Sequence, residues 1–149
     1  MTRGLLFLVG LYAAVWIPFI DSYYKSNVQY RQESVQAMNM WARWDSEWYL
    51  YIADRGYTNE DLPSHYRNAT SGLFPLYAML IRFLGAILNH DVLAGLLISN
   101  ISLLVFLWIL LQLGKEKEID EKDRQKAAWY YLIFPTTFFL SAIYTESLF

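Results

Sequence analysis

Residues 92–113, VLAGLLISNISLLVFLWILLQL, form the apolar stretch that decides the fold class. They include no charged side chain, and the polar Asn100 lies in their first half. Because an α-helix rises about 1.5 Å per residue, a stretch of this length is sufficient to cross a hydrocarbon core of roughly 30 Å. We therefore predict a transmembrane helix at this point of the chain.

Further apolar stretches accompany this helix, and the composition of the chain agrees with them. The predicted spans are about 4–20, 73–88, 92–113 and 127–149. Hydrophobic residues make up 56% of the chain and charged residues only 17%, below the roughly 25% charged residues of soluble domains. The sequence predicts an all-α integral membrane protein, a polytopic transmembrane helix bundle. Since the last span reaches Phe149 without a polar tail, we expect residues 1–149 to be the N-terminal part of one longer membrane domain.

The positions of Lys and Arg predict the orientation of the bundle only in part. Arg3 precedes the first span, which favours an N-terminus in the cytoplasm and a polar loop, 21–72, outside it. If 73–88 and 92–113 both cross the membrane, the charged connector 115–126 is external. If 73–88 is a short or re-entrant piece, the connector is cytoplasmic. Both alternatives remain open.

The external loop contains a second structural signal, because residues 41–57 read WARWDSEWYLYIADRGY. At about 100° per residue, one face of a helix here collects five aromatic or apolar side chains, namely Trp41, Trp44, Trp48, Tyr51 and Ile52. An aromatic stripe beside charged residues is typical of a helix that lies in the membrane interface. We predict such a helix, with Gly56 as its C-terminal stop.

Asp45 is the most informative polar residue of this loop. On the helical projection it falls within the aromatic face, between Trp41 and Trp48. A carboxylate in such a partly dry setting accepts a proton more readily than usual, which suits a general base. The structural alternative is a polar residue that orients the helix or caps a neighbour. Arg55 projects nearer to Asp45 than Arg43 does and is the preferred loop cation.

Two charged residues lie inside predicted spans, Arg82 in 73–88 and Glu146 in 127–149. A charge at the centre of a membrane helix costs on the order of 3 kcal/mol, so it normally has a partner. Arg82 is either a phosphate clamp or a side chain that snorkels to a head group. Glu146 is a functional carboxylate, hydrogen-bonded by neighbours such as Tyr144, or a residue at a loop where the span breaks. These two interpretations are compatible, since sites often lie where membrane helices break.

Several classes of function find no support in the sequence. The chain has no Cys, and the isolated His65 and His90 show no metal-ligand spacing, so no metal site or cofactor is expected. The net charge is −2, so a nucleic-acid partner is not expected. No nucleotide-binding or nucleophile motif occurs, which favours a lipid-bound donor over a nucleotide-bound one.

Three stretches together resemble one known family. They are RWDSEWYLYIADRGY (43–57), LFPLYAMLIRFLG (73–85) and FPTTFFLSAIYTESLF (134–149). Their order and spacing are similar to those of the PIG-V family of membrane mannosyltransferases, which includes enzymes of glycosylphosphatidylinositol-anchor synthesis and bacterial relatives. The joint match is specific, although each block alone is weak.

The resemblance implies a GT-C glycosyltransferase fold and an acidic residue in the first external loop, which Asp45 matches. It implies transfer of a sugar, with inversion, from a polyprenyl-phosphate donor to a glycolipid or cell-envelope glycan acceptor. Such a protein lies among the lipids of the bacterial plasma membrane, or of the endoplasmic reticulum in a eukaryote. With Asp45 as the predicted catalytic residue, the predicted substrate-binding residues are Arg82, Glu146, Arg55, Trp44 and Tyr144.

Two other functions compete with this interpretation. In a transporter or lipid-handling protein, Arg82 and Glu146 line a translocation path. Transporters usually place such charges on repeated elements, and no repeat is visible here. A non-catalytic assembly subunit is the second rival, and it needs no carboxylate on the aromatic face.

Overall fold

A computed structural model describes Leu8, Val9, Tyr12, Trp41, Ala42 and the ranges 45–58 and 70–149. Its elements are α1 (Ser46–Arg55), α2 (Pro75–Leu88), α3 (Asp91–Glu116), α4 (Glu121–Ile133) and a short 3-10 helix (Pro135–Phe138). These described residues include no β-strand, so the predicted all-α class is confirmed for them. The predicted span 4–20 and most of loop 21–72 lie outside the described residues.

α3 covers the predicted span 92–113 and extends beyond both of its ends. Among the helices that the structure describes, α3 is the one that is long and apolar enough to cross a membrane. α2 has 14 residues and is apolar but shorter than a full span. It ends at Asn89, whose φ of 53° is left-handed, and the main chain then turns directly into α3. The structure therefore supports one span, and the polytopic bundle stays a prediction.

The predicted span 127–149 is not one continuous helix. α4 begins within the charged connector and ends at Ile133, and a 3-10 helix and irregular turns follow to Phe149. Pro135 explains the break, because proline has no N–H and forces the preceding residue out of the helical region. Phe134 accordingly adopts φ −58° and ψ 133°.

α4 packs back along the second half of α3 after a turn at Glu118, whose φ is 56°. Arg124 Nη1 donates to the carbonyl of Leu111 at 3.3 Å. The rings of Phe106 and Tyr131 lie 4.7 Å apart. The residues that follow α4 therefore return to the middle of α3.

α1 is the helix predicted in loop 21–72, but it differs from that prediction in its first residue. It begins at Ser46, so Trp41 precedes it and the projected aromatic stripe does not form one helical face. It packs against α2 and α3, and its position in the membrane interface stays a prediction. Its buried apolar side chains are Tyr49, Leu50, Tyr51, Ile52 and Ala53.

The core between these helices is closed by Ile143, which is fully buried. A Cβ added at Gly95 of α3 would lie 3.0 Å from Cγ2 of Ile143 and 3.4 Å from Cδ1 of Ile81. A small residue at this position lets the backbone of α3 approach its neighbours closely, as is common between membrane helices. The chain that follows α4 thus completes the core of the α1–α3 unit.

Replacing Ile143 by Ala is expected to lower the free energy of unfolding by about 2–5 kcal/mol, because the cavity left behind cannot collapse fully. Thermal unfolding of the full-length protein in detergent measures the effect. Ile87→Ala is the matched control, since the Ile87 side chain is 65% exposed on α2. Equal losses for the two variants would contradict the packing described here.

Candidate functional site

Segment 139–149 holds the site together, because it contacts both the chain before α1 and the helix α3. The N–H of Ile143 donates to the carbonyl of Trp41 at 3.1 Å. The Trp41 ring stacks on Phe138 with centroids 4.8 Å apart. Asn100 of α3 donates to the carbonyl of Ser141 at 3.2 Å. The chain directly before the first sequence block therefore meets the third block, although roughly 100 positions separate Trp41 from Ile143.

Tyr144 makes contacts at both of its ends. Its carbonyl accepts a hydrogen bond from Ser99 Oγ at 3.2 Å, and Ser99 also contacts the Tyr77 hydroxyl at 2.6 Å. Its own hydroxyl accepts from the main-chain N–H of Asp45 at 3.3 Å. Tyr144 thus ties the first turn of α1 to the buried part of α3.

Tyr49 supplies a second hydroxyl one helical turn after Asp45. It lies 3.3 Å from Oγ1 of Thr145, and either atom can be the donor. The Tyr49 ring packs edge-to-face on Tyr77, with centroids 5.2 Å apart. Aromatic contacts of this geometry stabilise beyond the area that they bury. The ring therefore holds its hydroxyl in a defined place beside segment 139–149.

Asp45 occupies the N-cap position of α1 but forms no side-chain cap hydrogen bond. Its side chain is exposed, whereas the sequence predicted a partly dry aromatic face. The difference arises because α1 begins at Ser46, so the helical projection does not extend to Asp45. Its carboxylate makes no hydrogen bond or ion pair with a described residue. It is free to contact a substrate.

Glu146 lies at an open cleft of about 540 Å³ between α4 and segment 139–149. Half of the lining residues are aromatic, and the full lining comprises Tyr130, Tyr131, Phe134, Thr136, Thr137, Phe139, Leu140 and Glu146. The Glu146 side chain is exposed and pairs with no cation in the ranges that the structure describes. The break after Ile133 thus places Glu146 in a turn, which is the second of the two alternatives for this residue.

The negative charges of Asp45 and Glu146 raise the pKa of the same two hydroxyls, those of Tyr49 and Tyr144. Burial raises the pKa of Tyr144 to about 12, and the charges of Asp45 and Glu146 add to this rise. The pKa of Tyr49 is raised by burial as well, with further contributions from Glu146 and Asp45. Both tyrosines are therefore neutral at physiological pH. The site combines two carboxylates with two hydroxyls that can donate or accept hydrogen bonds.

The predicted cations lie elsewhere. Arg82 projects from the exposed side of α2, and no described hydrogen bond or ion pair joins it to Asp45 or Glu146. Arg55 pairs with Asp54 at 2.9 Å at the far end of α1, about 15 Å along the axis from Asp45. Trp44 lies outside the described residues. The roles of these three residues in substrate binding stay predictions.

The hydroxyls of Ser46 and Tyr49 are the part of the site that the sequence analysis missed, whereas it did name Tyr144. Ser46 is fully buried, and its hydroxyl lies close enough to the Tyr144 hydroxyl to oppose the rise in the pKa of Tyr144. The Oγ of Ser147 is buried and has no hydrogen-bond partner among the described residues. Ser46 directly follows Asp45, and Ser147 directly follows Glu146. This adjacency was the one feature of the sequence that could have pointed to the two serines. The buried Ser147 hydroxyl therefore keeps unused hydrogen-bonding capacity one position after Glu146 in the sequence.

A model of the family described as mannosyltransferase (PIG-V) matches residues 16–149. A curated relative, GPI mannosyltransferase 2 of Drosophila pseudoobscura pseudoobscura, is 28% identical over 125 residues, which cover 77% of this chain and 26% of the relative. The chain thus spans about a quarter of the length of that relative. No solved structure gives a significant match.

Replacing Tyr144 by Phe is expected to destabilise the protein by about 1 kcal/mol at neutral pH, because the Asp45 N–H loses its acceptor. The pKa of Tyr144 rises on folding from 10.0 to about 12. The associated stability is fully present below pH 10 and is lost as the pH rises through about 12. Unfolding of the full-length variant should therefore depend less on pH in this window than unfolding of the wild type.

Thermal unfolding at a series of alkaline pH values measures this difference. Tyr130→Phe is the control, since it removes a hydroxyl that is exposed on α4. Identical pH dependence in Tyr144→Phe and the wild type would show that the Tyr144 hydroxyl is not buried on folding.

Proposed function

The chain belongs to the PIG-V mannosyltransferase family, and on this premise we propose that it carries the acceptor-activating part of a membrane glycosyltransferase. The sugar is mannose, and the donor is a polyprenyl phosphate that bears it. The acceptor is a glycolipid hydroxyl. The protein lies in the membrane that holds the donor, which is the endoplasmic reticulum in a eukaryote and the plasma membrane in a bacterium.

The observation that carries the proposal is the state of Asp45. Its carboxylate is exposed, uses no cap hydrogen bond and has no described cation beside it. Its main chain is nevertheless anchored by the Tyr144 hydroxyl at 3.3 Å. An anchored carboxylate with free lone pairs has what a general base requires, namely a defined position and access to the proton it removes.

In the proposed reaction, Asp45 accepts the proton of the acceptor hydroxyl. The hydroxyl oxygen attacks the anomeric carbon of mannose from the face opposite the donor phosphate. The new C–O bond forms as the bond between that carbon and the phosphate oxygen breaks, and the phosphate leaves with the electron pair. The configuration at the anomeric carbon is therefore inverted. Proton, electron pair and leaving group balance without a further reactant.

The leaving phosphate requires fixed positive charge. Arg82 is our candidate within the described helices, because its exposed position on α2 leaves it accessible to a second substrate. The name of the Drosophila relative supports a glycosylphosphatidylinositol precursor as the acceptor in a eukaryote. A cell-envelope glycolipid takes that place in a bacterium.

The test is the transfer of radiolabelled mannose from polyprenyl-phosphate mannose to lipid in membranes that contain the full-length protein. Asp45→Asn keeps the shape of the side chain and removes its basicity, so we expect transfer to fall by about a hundredfold or more. Asp54→Asn is the matched control, because Asp54 is an exposed aspartate of the same helix that pairs with Arg55.

Near-normal transfer by Asp45→Asn, at equal protein levels, would remove Asp45 from the mechanism. Absence of label transfer by the wild type would contradict the transferase itself and leave a transporter or an assembly subunit. A loss of similar size in Asp54→Asn would show that charge on α1, and not the position of Asp45, matters.

A further inference from the structure

The main chain of Asp45 is held on both sides, by the Tyr144 hydroxyl at its N–H and by α1 at its carbonyl. That carbonyl accepts hydrogen bonds from the N–H groups of Trp48 at 3.0 Å and Tyr49 at 3.3 Å. We propose that Tyr49 is a positioning residue of the transferase, whose hydroxyl fixes the direction in which the Asp45 carboxylate points. The inference rests on the proposed function, because it concerns the base of the same reaction.

Two hydrogen bonds join the first turn of α1 to segment 139–149. The Tyr144 hydroxyl accepts from the Asp45 N–H, and the Tyr49 hydroxyl lies 3.3 Å from Oγ1 of Thr145. Asp45 and Tyr49 are about 6 Å apart along the helix axis, and their partners are adjacent in the sequence. A single hydrogen bond fixes a distance but lets the turn pivot about it. The second attachment stops this pivoting and so fixes the rotation of the turn that carries Asp45.

The Tyr49 hydroxyl is itself a fixed point, because its ring belongs to the core between α1, α2 and α3. Tyr49 is buried, and its ring packs edge-to-face on the fully buried Tyr77 with centroids 5.2 Å apart. The Tyr77 hydroxyl in turn contacts the carbonyl of Gly95 and the hydroxyl of Ser99 on α3. Side chains in such close packing keep one rotamer. The attachment through Tyr49 therefore refers the position of Asp45 to the core.

The Asp45 carboxylate depends on this attachment because its own side chain has no other hold. It is exposed, forms no cap hydrogen bond and pairs with no cation in the ranges that the structure describes. Its direction is thus set by the main chain alone. A misplacement of about 1 Å in a catalytic group can lower the rate a hundredfold, even when the binding of substrate is unchanged. Loss of the Tyr49 hydroxyl should accordingly affect the chemical step and not affinity.

The test measures kcat and KM for the transfer of mannose from polyprenyl-phosphate mannose by the full-length protein. Tyr49→Phe removes the hydroxyl and keeps the ring that packs on Tyr77. We expect kcat to fall by about tenfold or more, with KM within about twofold of the wild-type value. Thr145→Val should reproduce this loss, whereas Thr145→Ser keeps a hydroxyl and should retain most of the wild-type kcat.

Tyr51→Phe is the matched control. Tyr51 is also a buried tyrosine of α1, but its hydroxyl donates to the carbonyl of Thr58, beyond the far end of the helix from Asp45. Each variant removes one tyrosine hydroxyl that forms a hydrogen bond, so the two should lower the thermal stability to a similar extent. Only Tyr49→Phe should lower kcat. Equal losses of kcat in the two variants would show a merely structural role and would overturn the proposal.

The Asp45→Asn background shows whether Tyr49 acts through Asp45. Residues that act as a unit have non-additive effects on rate, so Tyr49→Phe should not lower the residual transfer of Asp45→Asn any further. A further loss of about tenfold in that background would overturn the positioning role. A wild-type kcat in Tyr49→Phe, with Asp45→Asn inactive, would overturn it as well and leave the proposed function standing. Near-normal transfer by Asp45→Asn would contradict both.

Discussion

The arrangement of the site depends on the two-ended contact of Tyr144. Its carbonyl is held by Ser99 of α3, and its hydroxyl holds the first turn of α1 through Asp45. Tyr144 is buried, so a hydrogen bond left unmade at either of these polar ends would cost more than the bond itself contributes. This penalty ties the position of Asp45 to that of segment 139–149.

The buried polar groups beneath this contact are satisfied with little to spare. The hydroxyls of Tyr77 and Ser99 contact each other, and they also contact the carbonyls of Gly95 and Tyr144. The hydroxyls of Tyr77 and Ser99 have one proton each but take part in three hydrogen-bond contacts. One of the two protons must therefore lie between two acceptors. Such a network specifies one arrangement of its members, because any shift leaves a buried acceptor without a donor. The helices α2 and α3 and the chain after α4 are therefore fixed relative to one another before any substrate binds.

The distribution of charge divides the proposed reaction between regions of the protein. The described site holds two carboxylates, while Arg82 lies on an exposed face and Arg55 is engaged with Asp54. In the proposed reaction a general base belongs with the acceptor, whereas the donor phosphate needs positive charge, and the described residues place none beside these carboxylates. The neutral tyrosines, Tyr49 and Tyr144, add no charge to this part of the site.

The sequence by itself determined the features that depend on near neighbours. Apolar length predicted α3, proline chemistry accounts for the end of α4, and the three blocks predicted the family to which the chain belongs. Tertiary structure decided where α1 begins, that this helix packs against α2 and α3, and that Asp45 is exposed. It also paired Asp45 with Tyr144, which is 99 positions away. Periodicity reports only which residues share a face of one helix, and contacts between distant segments depend on how those faces pack.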